Sequence, residues 1–276
     1  MDLLYWYLIF IFFIIGTVVG SFLNCLIWRS YCGESVVAGR SYCPQCRHGL
    51  AWYDLVPFVS FLLLKSRCRY CGKPISWQYP AVELAMGLAF LGTAWVFTPQ
   101  IFLGLFTPLI LAKLLAYWLF FSSLAVIFVT DLRWYYIPDG ATAAGIIGAS
   151  LFTFLNAGGG YPWRFFDRDM VIGALLSAVF AAAFFLVIFM VSRGKWLGFG
   201  DVKYAVLMGL AAGFPGILVG MFFANFFGAI LGLALVARGK KKMSSQVPFG
   251  PFLVAGTLVA IFFTDPIFNW YLSLTF

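Results

Sequence analysis

Hydrophobic positions fall in long runs along the chain, and polar ones cluster in short segments between them. The runs predict eight helical spans, at roughly 4–27, 80–98, 108–130, 140–157, 170–192, 202–213, 215–237 and 250–264. The sixth is short, and Gly213, Phe214, Pro215 and Gly216 read as its turn; a single long broken helix, giving seven spans, is the alternative. Only the segment of about 28–79 is a long non-membrane stretch. The expected organisation is a first transmembrane helix (1–27), a loop region (28–79) and a transmembrane core (80–276), without internal repeats or low-complexity linkers. The first run lacks a basic n-region and continues to Trp28, too long for a signal-peptide core, so it reads as a retained span.

Composition agrees with an all-α polytopic membrane protein. Of 276 residues, 63% are hydrophobic and only 10% charged, against about 25% charged in soluble domains. So few charges cannot cover a water-facing surface, and the long apolar runs must face lipid. The net charge of +8 does not point to nucleic acid, because the basic residues sit in short loops between spans. Counting alternate loops, Arg29, Arg40, Arg47, Lys65, Arg67, Arg69, Lys73, Arg133, Arg193, Lys195, Lys203, Arg238, Lys240, Lys241 and Lys242 share one side, 15 of the 18 basic residues. Only Lys113, Arg164 and Arg168 fall elsewhere, Lys113 snorkelling to the outer face. The rich side is expected to be cytoplasmic, with the 28–79 loop there and both termini outside. A seven-span count would carry the Lys240–Lys242 loop across and spoil this pattern.

The loop holds the sequence C-P-Q-C at Cys43 and Cys46 and C-R-Y-C at Cys68 and Cys71. Two CxxC pairs at this separation form a zinc-ribbon pattern, each supplying two thiolates to one ion. Four sulfurs close the coordination sphere, so the expected role is structural. Neighbouring Arg47, Arg67, Arg69 and Lys73 would offset thiolate charge. A redox CxxC and four unrelated buried cysteines are the alternatives, and a reducing cytoplasm argues against disulfides. Cys25 lies in the first span as a packing residue, Cys32 has no evident partner, and His48 reads as a solvated loop histidine rather than a ligand.

Among the ten acids, Glu83, Asp131, Asp139 and Asp201 lie at the inner edge of spans. Ionisable groups at membrane depth are costly and tend to be functional. Asp131 ends the third span and Asp201 opens the sixth, so both reach the same boundary, and two nearby carboxylates in a partly dry site can divide into an acid and a base. Gly198 and Gly200 would allow close backbone approach or positive φ before Asp201. The plain alternatives are that Asp201 caps its helix and that Asp131 ends one near Arg133. Asp139, after Pro138, reads chiefly as an N-cap, and Glu83 as the partner of a loop cation.

These residues resemble a family. G-S-F-L-N at 20–24 followed by Arg29, the paired CxxC motifs, D-L-V-P at 54–57, Y-P-A-V-E at 79–83, D-L-R-W-Y-Y-I-P-D at 131–139, G-F-G-D-V-K at 198–203 and P-F-G-P-F at 248–252 are similar to the type IV prepilin peptidases, from the first span to the last. The resemblance implies cleavage of prepilins or type II secretion pseudopilins at the cytoplasmic face of a bacterial inner membrane. It maps the catalytic aspartates onto Asp131 and Asp201, with Gly198, Gly200, Lys203 and Asp139 supporting them. Members with the cysteine loop also N-methylate the new N-terminus using S-adenosylmethionine, and Asn24, Arg29 and Glu83 are candidates for that region. No G-x-G-x-x-G follows a strand to mark the methyl donor, and Gly158, Gly159 and Gly160 are no substitute. The G-x-G-D motif alone also resembles presenilin-type proteases. Competing readings are thus another intramembrane aspartyl protease without methyl transfer, or a non-catalytic zinc-ribbon scaffold or transporter. The oligomeric state is not legible in the sequence.

Overall fold

A computed structural model describes residues 2–36, 39–102, 107–156, 170–239 and 247–275. The glycines at 158–160 and the charges at 164–169 and 240–242, which entered the topology expectation, lie outside the described residues. Among the described residues the chain is all-α, as expected, with only two isolated β-bridges and no strand. Its helices are α1 (Asp2–Cys32), α2 (Val59–Leu63), α3 (Gln78–Phe102), α4 (Pro108–Trp134), α5 (Asp139–Leu155), α6 (Met170–Ser192), α7 (Phe199–Ala237) and α8 (Gly250–Thr275), with a 3₁₀ turn at Trp52–Leu55. Six of them, α1, α3, α4, α6, α7 and α8, are long and apolar enough to cross a membrane, and α5 is a shorter apolar helix. Large apolar side chains such as Phe10, Val18, Leu176, Val179, Val187 and Val191 are exposed on the helices, a surface suited to lipid.

α7 is continuous only in name. Gly213 takes φ 56° and ψ −174°, and Phe214 takes φ −92° and ψ 139°, both outside the helical region. A Cβ added at Gly220 would lie 2.5 Å from Met208 Cε. A straight helix would hold those two residues about 18 Å apart along its axis. The chain therefore folds back at the Gly-Phe-Pro-Gly turn, and the two halves of α7 behave as two elements. Counting them separately gives eight membrane-length or near-membrane-length elements.

The chain forms two compact units, residues 1–114 and 115–276. The expected core began at residue 80; in the structure α3 belongs with α1 in the first unit. Gly16 and Gly20 of α1 leave room for the backbone of Met86 and Glu83 on α3, the close approach that small residues permit in apolar helix pairs. The second unit is built on α7, against which α5, α6 and α8 pack. Its core includes Phe120, Phe185, Tyr204, Leu207, Met208 and Leu253, all essentially inaccessible. Gly148 admits the backbone of Phe120 and Ala116, and Gly209 admits that of Ala178. Small residues at these crossings let helices with no apolar–polar contrast pack tightly.

Candidate functional site

The second unit brings Asp131 and Asp201 together. Asp131 sits in the last turn of α4 and Asp201 in the first turn of α7, 6% and 8% exposed. They lie close enough for their charges to interact. Each is anchored through Oδ2 by one backbone N–H at the start of a helix. Gly250, the first residue of α8, donates to Asp131 Oδ2 at 2.7 Å. Gly198, just before α7, donates to Asp201 Oδ2 at 3.0 Å. Helix starts present unpaired N–H groups and a positive dipole end, which favour a carboxylate there. Among the described residues the second oxygen of each accepts no hydrogen bond, which leaves Oδ1 on both for a reactant.

Asp201 thus does cap its own helix, since its carboxylate closes back on Gly198. The cap uses Oδ2 and leaves Oδ1 without a hydrogen bond among the described residues. Neither Gly198 nor Gly200 adopts positive φ, correcting that part of the expectation. Close approach is the reason at Gly200, where a Cβ would sit 3.1 Å from Ile137 Cβ. Ile137 is buried and belongs to the 131–139 segment, so this contact seats one acidic motif on the other. Asp139 is not an N-cap: Pro138 holds that position, and Asp139 is the first helical residue of α5. Its Oδ1 accepts Lys203 Nζ at 2.6 Å, tying the start of α5 to the start of α7.

Gly250 is the residue that sequence reading passed over. A Cβ there would lie 2.8 Å from Asp131 Oδ2 and 2.9 Å from its Cβ and Cγ. The motif P-F-G-P-F was visible, but its third residue could not be tied to an acid 119 positions away.

In the first unit, ligand atoms of Cys43, Cys46, Cys68 and Cys71 all lie within 4.8 Å of one another. A tetrahedral zinc–thiolate site with bonds of about 2.3 Å has sulfurs about 3.8 Å apart, so the cluster fits one metal ion after small contraction. The two halves of the cluster are structurally repeated, which the sequence did not reveal. In residues 41–50 and 66–75 the same three backbone bonds recur. Arg47 N–H reaches Cys43 O at 2.8 Å and Gly72 N–H reaches Cys68 O at 2.9 Å; Cys43 pairs with His48, Cys68 with Lys73. Leu50 N–H then bonds Ser41 O, and Ile75 N–H bonds Ser66 O, both at 2.7 Å. Each knuckle aims two N–H groups at its first sulfur, from Gln45 and Cys46 onto Cys43 and from Tyr70 and Cys71 onto Cys68. Burial opposes ionisation of Cys68, but these bonds and that from Cys43 outweigh it and bring the thiol down to about 7. At Cys43 burial prevails and the thiol is raised.

His48 is exposed and stacks on Tyr70 with ring centroids 3.7 Å apart. It is neither a ligand nor merely solvated. Arg69 is committed to Asp54 at 2.8 Å rather than to the thiolates. Burial alone would raise the Asp54 carboxyl, but Arg69, the Ala51 N–H and Tyr70 together hold it below the usual carboxylate range. The same contact pushes the Tyr70 hydroxyl up to about 12.

Asn24, Arg29 and Glu83 are all buried in this unit. Asn24 donates to Tyr79 O at 3.0 Å and accepts from Gln78 Nε2 at 3.1 Å, so it joins α1 to the start of α3. Arg29 donates to Ser35 O at 3.2 Å and to Arg40 O at 2.8 Å, closing the loop between them. Glu83 takes the Phe58 N–H at 3.1 Å and the Ser21 hydroxyl. Among the described residues it forms no ion pair, contrary to the expected loop cation. Gln78 Oε1 is buried and, among the described residues, has no hydrogen-bond partner.

Comparison with known proteins agrees with this layout. Residues 14–97 match the bacterial Peptidase A24 N-terminal domain, and residues 118–233 match the type IV leader peptidase family. A protein of Aeromonas salmonicida (strain A449) named prepilin leader peptidase/N-methyltransferase is 30% identical, over 98% of this chain and 94% of its own length. One of Bacillus subtilis (strain 168) with the same name is 31% identical over 96% of this chain and 98% of its own. A third, from Myxococcus xanthus (strain DK1622), is 34% identical over 83% of this chain. No solved structure matches the chain.

Proposed function

The chain belongs to the type IV leader peptidase family, and from that premise we propose that it is an intramembrane aspartyl endopeptidase acting on type IV prepilins or type II secretion pseudopilins. It cleaves their leader at the cytoplasmic membrane face and then N-methylates the new N-terminal residue. The observation that carries the peptidase reading is the anchored pair Asp131 and Asp201, with Oδ1 of each left for the reaction.

Two carboxylates within charge range do not readily ionise together. One keeps a proton and polarises the scissile carbonyl, while the other takes a proton from the attacking water. The protonated carboxyl then supplies the leaving amine with its proton as the carbon–nitrogen bond breaks. Gly198 and Gly250 hold the acids in register for this exchange.

The charge pattern of the loops supports the sidedness. A prepilin has a short basic leader followed by an apolar helix, so its leader stays on the cytoplasmic side by the same positive-inside rule. Its scissile bond then lies at the depth where Asp131 ends its span and Asp201 opens its own.

Zinc suits the four thiolates, with a structural role because no coordination position is left open. S-adenosylmethionine, which supplies the methyl group when bound, carries an ammonium and hydroxyl donors. Glu83 and Gln78 Oε1, which among the described residues have no cationic partner and no hydrogen-bond partner respectively, offer matching acceptors. Asn24 braces Gln78, and Arg29 closes the adjoining loop.

The test is incubation of the purified protein with a prepilin, reading cleavage and the mass of the mature N-terminus. Asp131→Asn and Asp201→Asn should each abolish cleavage in a folded protein. Near-normal cleavage by either variant overturns the assignment.

A further inference from the structure

The D-L-V-P segment has no part in the chemistry described so far, yet its acid is among the most heavily bonded in the first unit. The Asp54 side chain is 3% exposed. It accepts Arg69 Nε on Oδ1 at 2.8 Å, and on Oδ2 the Tyr70 hydroxyl at 3.0 Å and the Ala51 N–H at 3.1 Å. Arg69 and Tyr70 are the two residues inside the second CxxC pair. Asp54 therefore grips the metal knuckle by its interior.

The other end of the same segment grips a membrane helix. Past Val56 and Pro57 lies Phe58, with φ 59° and ψ −49°, a backbone conformation that a non-glycine side chain rarely adopts. Its N–H points at Glu83 Oε2, 3.1 Å away. The intervening chain is stiff. Pro57 fixes its own φ, and Ser60 bonds back to Val56 O through both its N–H, at 3.1 Å, and its hydroxyl, at 2.7 Å. On the far side of Glu83, Gly20 of α1 touches the Glu83 backbone, and Ser21 bonds the carboxylate. A strained conformation persists where its surroundings over-determine it, and such residues cluster at functional sites.

We propose that Asp54 is a positioning residue: it couples the folded metal knuckle to Glu83 by holding the Phe58 N–H against the Glu83 carboxylate. The coupling rests on the reading above that Glu83 belongs to the methyl-transfer region.

The test uses the full-length protein in lipid, with Asp54→Asn, Tyr70→Phe and Glu83→Gln. Four quantities are read: metal content, cleavage of an uncleaved prepilin, methylation of a pre-cleaved pilin, and hydrogen exchange at the Phe58 amide. Asp54→Asn should keep its metal and cleave within about twofold of the parent, while kcat for methylation falls by about tenfold or more. Exchange at Phe58 should accelerate in the same variant, which a loss of general stability would not confine to that amide. Tyr70→Phe removes one of three donors and should shift both readouts the same way, by less. Glu83→Gln should lose methylation with the metal retained. If Glu83→Gln loses methylation and Asp54→Asn does not, the coupling is refuted while the methyl-transfer reading survives. Metal loss in Asp54→Asn likewise refutes it, because Asp54 would then serve the knuckle itself. Full methylation in Glu83→Gln refutes the placement of Glu83, and the mechanical link then stands or falls on the Phe58 amide alone.

Discussion

Glu83 in the first unit and Asp131 in the second are almost equally buried, at 7% and 6% exposed, and each rests one carboxylate oxygen on a backbone N–H. The donors come from different kinds of structure. Gly250 opens a 26-residue helix that packs on α7. Phe58 is a strained loop residue four positions after Asp54, which bonds Arg69 and Tyr70 between the cysteines of the second CxxC pair. The acids of the second unit are therefore placed by helix packing, and none of the four clustered cysteines lies in that unit. The acid of the first is held by a loop that also contacts the second knuckle of the four-cysteine cluster, which fits one metal ion. Two activities on one chain should accordingly fail under different insults.

The largest effect should fall on the helix-placed pair. Asp201→Asn should lower cleavage by about 10²–10⁴-fold, the range for losing a general acid or base. Methylation of a pre-cleaved pilin should persist, because Asp201 belongs to the second unit. Parallel loss of both activities in a folded variant would erase the contrast.

Replacing Cys43 and Cys46 together with serine should do the reverse. Structural zinc contributes about 10–16 kcal/mol of apparent binding energy to small metal-folded modules. That matches or exceeds the about 5–15 kcal/mol stability of a whole domain, so the loop should lose its order. Methylation should then fall much further than cleavage in paired assays. Equal loss, with the helices still folded by circular dichroism, would show the activities to be inseparable.

Gly250→Ala sharpens the comparison within the second unit. The added Cβ meets three atoms of Asp131 at 2.8–2.9 Å, and the start of α8 cannot recede without breaking the 2.7 Å bond. A displacement of about 1 Å at a reacting group can cost about 10²-fold in rate. Cleavage should drop by about that factor with KM little changed, and methylation should hold. Full cleavage activity in Gly250→Ala would mean that Asp131 does not need this donor.

What the sequence made legible was local. Cysteines three positions apart within each CxxC fix a knuckle whatever surrounds them, so the metal cluster could be read from spacing alone. The turn at 213–216 announced itself through two glycines and a proline. The repeated knuckle stayed hidden because its two copies share a serine and two cysteines and little else, and what repeats is backbone bonding. The partners of the acids were hidden for a related reason. Asp131 and Glu83 are both held by main-chain N–H groups, which carry no residue signature, from 119 and 25 positions away. Hydropathy located α3 but could not say which helix it packs on, since apolar helices look alike on every face.

The smallest effect should come from Asp139→Asn. The sequence suggested mildness because asparagine caps helices well, but Pro138 is the N-cap, so that reason fails. The better reason is exposure. The Asp139–Lys203 pair is short, at 2.6 Å, yet its side chains are 72% and 37% exposed, and exposed pairs contribute about 0–1 kcal/mol. Among the described residues Asp139 forms no hydrogen bond with Asp131 or Asp201; it fastens the start of α5 to a lysine two residues past Asp201. Seating of the two motifs rests mainly on the buried contact of Ile137 with Gly200, which the substitution leaves intact. Cleavage should therefore fall by less than about fivefold. Added salt, which already screens the pair in the parent, should narrow the gap between the two proteins. A loss comparable with that of Asp201→Asn, unaffected by salt, would place Asp139 in the chemistry and make the helix-placed site a three-acid one.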